Sequence, residues 1–339
     1  MGIDFFSDLR QCSEIRKLIT LRMNKGGDLM LEVVELSKHY KNKKAVKGVN
    51  LYLEKGETVG LLGPNGAGKS TTISLISSLI VPTSGDVRIM NESILKKPEK
   101  IRNILGVVPQ DIALYMDLTA KENLEFFGRI HRISKKELHG KVDEILEIIG
   151  LTDRKNDVVK TFSGGMKRRL NIGVALLHEP KLIIMDEPTV GIDPQSRNYI
   201  LETVKRLNKE KNITVLYTSH YMEEVEYLCD RIYIMDHGEI IAAGTKEEIK
   251  NILSAEQSIG IKVDILKGEY LQLLESLPNI KNISVQDPAI TLIVPKKVNI
   301  LKDIFKLAEE TNTSVTSVHI ETPSLEDVFL HLTGRQLRD

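Results

Sequence analysis

The sequence predicts an α/β protein that carries an inserted helical segment and a smaller α+β unit near its C-terminus. Short, continuous apolar runs occur between residues 30 and 250, and such runs are typical of buried parallel strands. A helical spacing of apolar residues fills 117 to about 178. After residue 256, strand and helix patterns follow one another in a different order.

The composition is that of a globular protein with no bias toward a charged partner. The chain has 339 residues, of which 41% are hydrophobic, so two or three domains are expected. Lys+Arg and Asp+Glu both number 47, so the net charge is zero and a nucleic-acid partner gains no support. Cys12 and Cys229 form neither a metal-binding spacing nor a disulfide framework, which favours a reducing, cytosolic compartment.

Residues 1–29 are expected to form a separate N-terminal extension. They are either a docking helix or a dispensable segment, and the second interpretation is favoured because Met23 and Met30 both precede the first convincing strand. No apolar run approaches the ~20 residues needed to cross a bilayer, and charged residues interrupt any signal-peptide core. Work at a membrane would therefore require another chain.

The segment from 30 to about 250 is expected to form the α/β domain. Its helical subdomain, at about 117–178, contains a capping-box pattern at Thr119 and Glu122. The strand-like runs are LEVVEL (31–36), VNLYL (49–53), TVGLL (58–62), LIIMD (182–186), ITVLYTS (213–219) and RIYIMD (231–236).

Residues 256–339 are expected to form an accessory domain. Strand and helix patterns follow the order β-α-β-β-α-β, which is typical of ferredoxin-like domains, and a last helix pattern follows Pro323. The polar residues of this unit form no catalytic pattern. A role in regulation or assembly is therefore favoured over chemistry.

The strongest functional signal is GPNGAGKS at 63–70, which fits G-x-x-x-x-G-K-[ST] between a strand and a helix pattern. In this context a chance glycine-rich turn is the weaker explanation. Backbone N–H groups of the loop would bind phosphate oxygens, Lys69 would reach the β- and γ-phosphates, and Ser70 would hold Mg²⁺. The loop consists of Gly63, Pro64, Asn65, Gly66, Ala67, Gly68, Lys69, Ser70 and Thr71.

Five further residues lie within or directly after strand patterns. Asp186 and Glu187 end LIIMDE, where Asp186 could join the Mg²⁺ shell and Glu187 could polarise an attacking water. His220 could donate a hydrogen bond to a γ-phosphate, although a lone histidine at a strand tip is more often a surface residue. Gln110 and Tyr40 are weak signals alone, but Tyr40 could stack on a purine ring.

A second glycine-containing turn, TFSGG at 161–165, runs directly into an amphipathic helix pattern. Ser163, Gly164, Gly165 and the free N–H groups of the helix start would form another anion site. Arg168 and Arg169 are expected on the solvated face of that helix. One chain thus carries two phosphate-binding patterns that lie far apart in the sequence.

In this order the motifs resemble the ATP-binding cassette (ABC) family, over residues 30 to about 250. The resemblance implies a P-loop NTPase that hydrolyses ATP, with Lys69, Glu187 and His220 as catalytic residues. It places Mg²⁺ near Ser70, Gln110 and Asp186. The matching motifs are Tyr40 for the adenine-stacking aromatic, Gly63–Thr71 for Walker A, Gln110 for the Q-loop, Ser163–Gly165 for the signature, Asp186-Glu187 for Walker B, Asp193 for the D-loop and His220 for the switch histidine.

The signature departs from the usual Leu-Ser-Gly-Gly-Gln at Phe162 and Met166, and methionine cannot donate the amide hydrogen bond that glutamine could. The resemblance implies that two cassettes pair head to tail, as a homodimer or with a related cassette. Each ATP then lies between one chain's Walker A loop and the other chain's signature. Integral-membrane permease subunits are the implied partners, which implies a peripheral position at the cytoplasmic face of the membrane.

The C-terminal unit and the sequence PSLEDVFLHLTG at 323–334 resemble ATPase subunits of ABC-2 type exporters for drugs or sodium, which implies export. One alternative is a soluble, non-transport ABC ATPase that acts on ribosomes or DNA. Such relatives usually carry two cassettes or a long coiled coil, whereas this sequence has one Walker A loop. A P-loop kinase or other NTPase is a second alternative, and the signature sequence argues against it.

Overall fold

A computed structural model shows the fold of the chain. It describes residues 29–41, 43–252, 256–286, 288–295, 299–321 and 324–334. The N-terminal extension expected at 1–29 therefore lies, apart from Leu29, outside the described residues. Between Lys246 and Glu247 the chain divides into two compact units, a few residues before the boundary expected near 250.

The larger unit begins with an antiparallel sheet. Its strands are β1 (Leu29–Tyr40), β2 (Lys43–Glu54), β4 (Ser84–Ile89) and β5 (Glu92–Ser93). They pair in the order β2-β1-β4-β5. The sequence indicated β1 and β2 but not β4, because only Val87 and Ile89 of β4 are buried and the remaining residues read as a polar turn.

The second sheet of this unit is mainly parallel. Its strands are β3 (Thr58–Leu62), β6 (Leu105–Val108), β7 (Leu182–Asp186), β8 (Thr214–Thr218), β9 (Arg231–Asp236) and β10 (Glu239–Thr245). The order is β10-β9-β3-β8-β7-β6, and only β10 is antiparallel to its neighbour. Every residue of β3, β7 and β8 is buried, which confirms the buried parallel strands expected from the continuous apolar runs.

Three helices lie between β6 and β7, which confirms the inserted helical segment. None of the helices within the described ranges has the length and apolar character that crossing a bilayer requires. The helices of the larger unit are α1 (Lys69–Ile76), α2 (Pro98–Arg102), α3 (Ala120–Ile130), α4 (Lys135–Ile148), α5 (Gly164–Leu176), α6 (Pro194–Lys211) and α7 (Met222–Leu228), with 3₁₀ turns at Thr152–Arg154 and Val159–Thr161.

One apolar core joins the two sheets of the larger unit. Leu31 of β1, Leu51 of β2, Leu61 of β3, Ile184 of β7 and Ile76 of α1 are fully buried in it. Full burial of such a side chain contributes ~1.5–3 kcal/mol. The shared core therefore fixes α1 and the central strands relative to one another, which determines where the strand ends lie.

The smaller unit is a separate α+β fold. After α8 (Lys246–Lys250), it consists of β11 (Glu256–Val263), α9 (Gly268–Glu275), β12 (Asn282–Gln286), β13 (Ala289–Pro295), α10 (Leu301–Glu310), β14 (Val315–Glu321) and α11 (Leu325–Thr333). Its antiparallel sheet has the order β12-β13-β11-β14, and Tyr270, Leu274 and Ile304 of the two helices α9 and α10 are buried in its core. This confirms the expected ferredoxin-like arrangement.

Thr119→Ala should destabilise the start of α3. The Thr119 hydroxyl accepts a hydrogen bond from the Glu122 N–H (3.1 Å), and the Glu122 carboxylate accepts one from the Thr119 N–H (2.8 Å), a complete capping box. Its loss should cost about 1 kcal/mol. Faster amide exchange in the first turn of α3 would show this, whereas unchanged exchange in that turn would contradict it.

Candidate active site

The carboxyl ends of β3, β6, β7 and β8 lie at one edge of the parallel sheet. Open α/β sheets bind ligands at this edge. Each strand is followed there by a feature that the sequence singled out: Gly63–Thr71 after β3, Gln110 after β6, Asp186-Glu187 at the end of β7 and His220 after β8.

The loop after β3 requires glycine at two positions because the backbone of other segments lies against it. A Cβ on Gly63 would lie 2.3 Å from the carbonyl oxygen of Met235. Gly68 has a φ of 110°, and its Cβ would lie 2.6 Å from the carbonyl oxygen of Ala45. Gly68 directly precedes α1, so free N–H groups of a helix start border the loop.

The ammonium group of Lys69 lies inside this loop. It donates hydrogen bonds to the carbonyl oxygens of Gly63 (2.7 Å) and Pro64 (3.3 Å), and the residue is 6% exposed. Burial lowers the pKa of Lys69, while the carboxylates of Glu187 and Asp186 counteract that shift. A buried ammonium group of this kind suits an anionic phosphate group.

Side chains that follow three other strands surround the carboxylate of Glu187. Its Oε1 lies 3.8 Å from Lys69 Nζ, and its Oε2 lies 3.2 Å from Gln110 Nε2 and 3.4 Å from His220 Nδ1. Its φ is 47°, which is uncommon for a residue other than glycine and costs of order 1–3 kcal/mol. The Glu187 N–H donates to the hydroxyl of Thr218 at 2.9 Å, which helps to hold this conformation.

Asp186 faces Ser70 and Thr218. Its Oδ1 accepts a hydrogen bond from the Thr218 hydroxyl at 2.8 Å, and the Ser70 hydroxyl also bonds to it. Burial raises the pKa of Asp186, although both hydroxyl bonds oppose the shift. Mg²⁺ is usually bound by one or two carboxylates together with substrate phosphates, so Ser70 and Asp186 fit such a site. Within the described residues, no group of three or more His, Cys, Asp or Glu forms an all-protein metal site.

A cavity of about 200 Å³ lies between the glycine loop and Glu187. An ammonium group, the N–H groups of a helix start and a side-chain amide face it, and these donors suit phosphate oxygens. The residues present therefore fit the phosphate chain of a nucleotide. The cavity is lined by Lys43, Ala45, Asn65, Gly66, Ala67, Gly68, Lys69, Ser70, Thr71, Gln110 and Glu187.

Tyr40 lies at the end of β1, outside the lining of this cavity. The residue is 46% exposed, and Lys38 Nζ lies 5.2 Å from the ring centroid. Its cross-strand neighbour is Lys43, which does line the cavity. An exposed aromatic ring beside the cavity is in a suitable place for stacking on a base.

The second glycine turn forms another group, together with Asp193. The Ser163 hydroxyl caps α5 by accepting the Met166 N–H (3.2 Å), and Asp193 caps α6 by accepting the Ser196 N–H (2.9 Å), a bond that lowers the pKa of Asp193. A Cβ on Gly165 would lie 2.1 Å from Ser196 Oγ. Residues 163–165, all of which are described, do not line the phosphate cavity. The sequence-predicted residues thus separate into two groups.

The expectation of a solvated helix face is wrong for Arg168, whereas Arg169 is half-buried. Arg168 is 5% exposed, and its guanidinium donates to the carbonyl oxygens of Pro109 (2.7 Å) and Gln110 (2.6 Å). Arg169 lies over the ring of Tyr199, 4.8 Å from its centroid. Arg168 therefore fixes the backbone on which Gln110 is placed.

One sequence signal could have located Arg168 correctly. Gly165, Arg168, Ile172 and Ala175 have the spacing of one helix face, and all four are buried. A charged residue on the buried face of a helix requires polar partners, which the two carbonyl oxygens provide.

Comparisons with known proteins identify the family of the chain. Residues 46–190 match the family model described as ABC transporter, and residues 244–333 match the model described as ATP-binding protein DrrA1-3-like, C-terminal domain. The linearmycin resistance ATP-binding protein LnrL of Bacillus subtilis is 48% identical over 91% of this chain and 100% of its own length. The daunorubicin/doxorubicin resistance ATP-binding protein DrrA of Streptomyces peucetius is 34% identical over 94% of this chain and 96% of its own.

Solved structures show the same similarity in three dimensions. The structure of cbiO1 from Clostridium perfringens, part of the ABC transporter complex cbiONQ, has a TM-score of 0.61 and 31% identity over 66% of this chain and 90% of its own. The ATP-binding cassette MJ0796, solved as a dimer bound to ADP and phosphate, has a TM-score of 0.59 and 30% identity over 64% of this chain and 98% of its own.

The chain therefore belongs to the ATP-binding proteins of ABC transporters, within the group that carries a DrrA-like C-terminal domain. It is a nucleotide-binding ATPase of the P-loop class, as the resemblance of its motifs implied.

Lys69→Ala should reduce ATP hydrolysis by about 100-fold or more, because removing one preorganised charge partner of the transition state has effects of this size. The measurement is phosphate release by the purified full-length protein. Lys96→Ala is the matched control, since Lys96 is an exposed lysine of the same unit. Wild-type hydrolysis by the Lys69→Ala protein would contradict the assignment of the loop.

Proposed function

We propose that this chain binds ATP with Mg²⁺ at the edge of its parallel sheet, and that hydrolysis there drives export of a compound through separate membrane subunits. The observation that carries the proposal is the convergence of Lys69, Gln110 and His220 on the carboxylate of Glu187. The three groups come from three different strand ends, and each suits a γ-phosphate as well as it suits a carboxylate.

Each residue has a role that follows from its chemistry. Lys69 and the N–H groups of the glycine loop bind the β- and γ-phosphates. Ser70, Asp186 and the amide oxygen of Gln110 would hold Mg²⁺, which would neutralise charge on the phosphate oxygens. Glu187 accepts a proton from water as the water oxygen bonds to the γ-phosphorus. The bond from that phosphorus to the bridging oxygen breaks, and ADP and phosphate leave.

Glu187 and the γ-phosphate compete for the same partners. Lys69, Gln110 and His220 lie 3.2 to 3.8 Å from the carboxylate oxygens. When these groups turn to the γ-phosphate, with His220 donating a hydrogen bond to it, the carboxylate becomes available to water. Arrival of the substrate thereby releases the base that acts on it.

The second group of residues acts on the ATP of a partner chain. Ser163 is exposed at the start of α5, a helix of 13 residues, and a helix start attracts anions. The turn lies outside the lining of its own chain's phosphate cavity, and the similar cassette MJ0796 was solved as a dimer. A pair with two-fold symmetry would place each turn against the other chain's ATP.

A membrane subunit contacts an exposed apolar surface formed by Tyr115, Met116, Phe126 and Ile130, which we term the aromatic surface. The Tyr115 and Phe126 rings lie 4.6 Å apart, edge to face, and Ile130 is 59% exposed. Exposed apolar clusters of this kind mark interaction sites.

The aromatic surface is connected to the active site by a short segment. Tyr115 lies five residues after Gln110, and its backbone is fixed by two 2.9 Å hydrogen bonds to the side chain of Asn123. Gln110 in turn touches Glu187. The hydrogen-bond partner of Gln110, either Glu187 or a phosphate, would therefore affect a segment of the membrane subunit that is bound to the aromatic surface.

The relatives supply the direction of transport. LnrL and DrrA are named for resistance to linearmycin and to daunorubicin and doxorubicin, and a relative from Rhizobium meliloti is named for Nod factor export. By analogy this chain energises export from the cytoplasmic face of the membrane, held there by its membrane subunits. The candidate partner is a neighbouring gene product with about six apolar spans of ~20 residues.

Two defective variants should complement each other in a mixture. Lys69→Ala damages the chain's own loop, and Gly164→Asp places a carboxylate where the partner's phosphate approaches, so that charge repulsion opposes closure. Gly164 suits this test because its Cβ would meet only Ile192, at 3.9 Å, whereas Gly165 has no room for one. A mixed pair contains one intact composite site, so ATP hydrolysis should rise above that of either parent.

Gly140→Asp is the control, because Gly140 is exposed and its Cβ would meet nothing within 4 Å. Glu187→Gln should trap an ATP-bound pair, observed by size-exclusion chromatography, and Gly164→Asp in the same chain should prevent that pair from forming. Two results together would overturn the proposal that each turn acts on the partner chain's ATP. The first is that cross-linking detects mixed pairs but no hydrolysis is recovered. The second is that the ATP-bound pair trapped by Glu187→Gln still forms when Gly164→Asp is present.

Phe126→Ser with Ile130→Ser should weaken binding to the membrane subunits, because both apolar side chains would lose their burial. Co-purification of the full-length protein with membranes that contain the candidate partner measures this. Leu95→Ser is the control, since Leu95 is 50% exposed and lies outside the aromatic surface. Equal retention of the double variant and the control would rule out this surface.

A further inference from the structure

A buried carboxylate lies behind the active site and has no role in the chemistry proposed above. Glu224, in the first turn of α7, is 2% exposed. Its Oε2 accepts hydrogen bonds from three hydroxyl groups: Ser219 (2.6 Å), Thr189 (2.8 Å) and Tyr217 (2.9 Å). Burial of a charge is costly unless it is paired and hydrogen-bonded, so this arrangement requires all of its partners.

Two of the three donors are directly connected to active-site residues. Ser219 immediately precedes His220, and Thr189 follows Glu187 by two residues. Through this one oxygen, Glu224 links the segment after β7 to the segment after β8. These two segments carry Glu187 and His220, which face each other at the edge of the sheet.

The other oxygen of Glu224 reaches His220 by a second route. Its Oε1 lies 3.5 Å from Arg197 Nε, and the Arg197 guanidinium lies 4.4 Å from the ring centroid of Tyr221. The Tyr221 ring is 4.6 Å from the ring of His220. His220 is thus held on its backbone side by Ser219 and on its ring side by Tyr221.

The contact between Glu224 and Arg197 depends on charge. Neither Glu224 Oε1 nor Arg197 Nε has a hydrogen-bond partner among the described residues, although both atoms are buried. At 3.5 Å the two groups attract each other as ions in a poorly hydrated environment, so a neutral side chain at position 224 would remove most of that attraction.

We infer that Glu224 is a positioning residue for ATP hydrolysis, which holds the His220 ring at its 3.4 Å distance from the Glu187 carboxylate. The inference rests on the proposed roles of these two residues. Glu224 touches neither of them and acts through the segments on either side.

Glu224→Gln tests this role because it preserves shape but removes the charge. An amide oxygen turned toward the three hydroxyls places the amide N–H groups against Arg197. The opposite orientation leaves the hydroxyls facing a donor. In either orientation the amide N–H groups face other hydrogen-bond donors, so His220 should lose its fixed position. We expect kcat to fall by about 10- to 100-fold, the cost of small misplacements in an active site, while KM for ATP changes by less than about threefold.

The matched control is Glu223→Gln, which alters the exposed neighbouring carboxylate of the same helix turn and should keep wild-type kinetics. A Glu224→Gln protein with wild-type kcat would overturn the inference. A rise in KM with kcat unchanged would also overturn it, because it would indicate uniform nucleotide binding. Inactive wild-type protein would instead refute the proposed function.

If Glu224→Gln fails to fold, variants that each remove one hydroxyl donor provide a second test. Ser219→Ala and Thr189→Val each remove one hydroxyl bond to Glu224 and leave the buried ion pair intact. Each should lower kcat by several-fold at nearly constant KM, measured on the full-length protein. Wild-type kcat in both variants would exclude a positioning role for this network.

Discussion

The carboxylate of Glu187 is the group on which the organisation of the site depends. An anion removed from water requires partners that supply positive charge or hydrogen bonds, and Lys69, Gln110 and His220 supply them from three different segments. Movement of any one of these segments would remove one of the partners of this carboxylate. The same arrangement therefore keeps Lys69, Gln110, Glu187 and His220 within a few ångströms of one another.

The parallel sheet makes this convergence possible. Strand β8 lies between β3 and β7, and its last residue, Thr218, bonds to both the Asp186 side chain and the Glu187 backbone N–H. The buried apolar core beneath fixes the spacing of these strands. A side chain at the end of one strand consequently has a defined distance to those of its neighbours, which loops alone would not provide.

Much of this architecture could be predicted from the sequence, because continuous apolar runs indicate parallel strands and the phosphate loop has a distinctive spacing. Strands β4 and β5 could not be recognised, since most of their residues are polar. The burial of Arg168 depends on carbonyl oxygens more than 50 residues away. Nothing in the dipeptide Glu223-Glu224 shows which carboxylate is buried, because the three hydroxyl donors to Glu224 come from other segments. The roles of the site residues remain predictions.

The close approach of Gly165 to Ser196 has a consequence for communication between sites. The starts of helices α5 and α6 are packed so closely that no side chain fits at Gly165. The residue after Ser196 is Arg197, the ion partner of Glu224. A displacement of the second glycine turn would therefore be transmitted through Arg197 and Glu224 to His220 of the same chain. If that turn senses the partner's ATP, occupancy of one site biases the geometry of the other. Thermodynamic linkage makes such a bias reciprocal, so the two sites of a pair would share a coupling free energy and could not bind ATP independently.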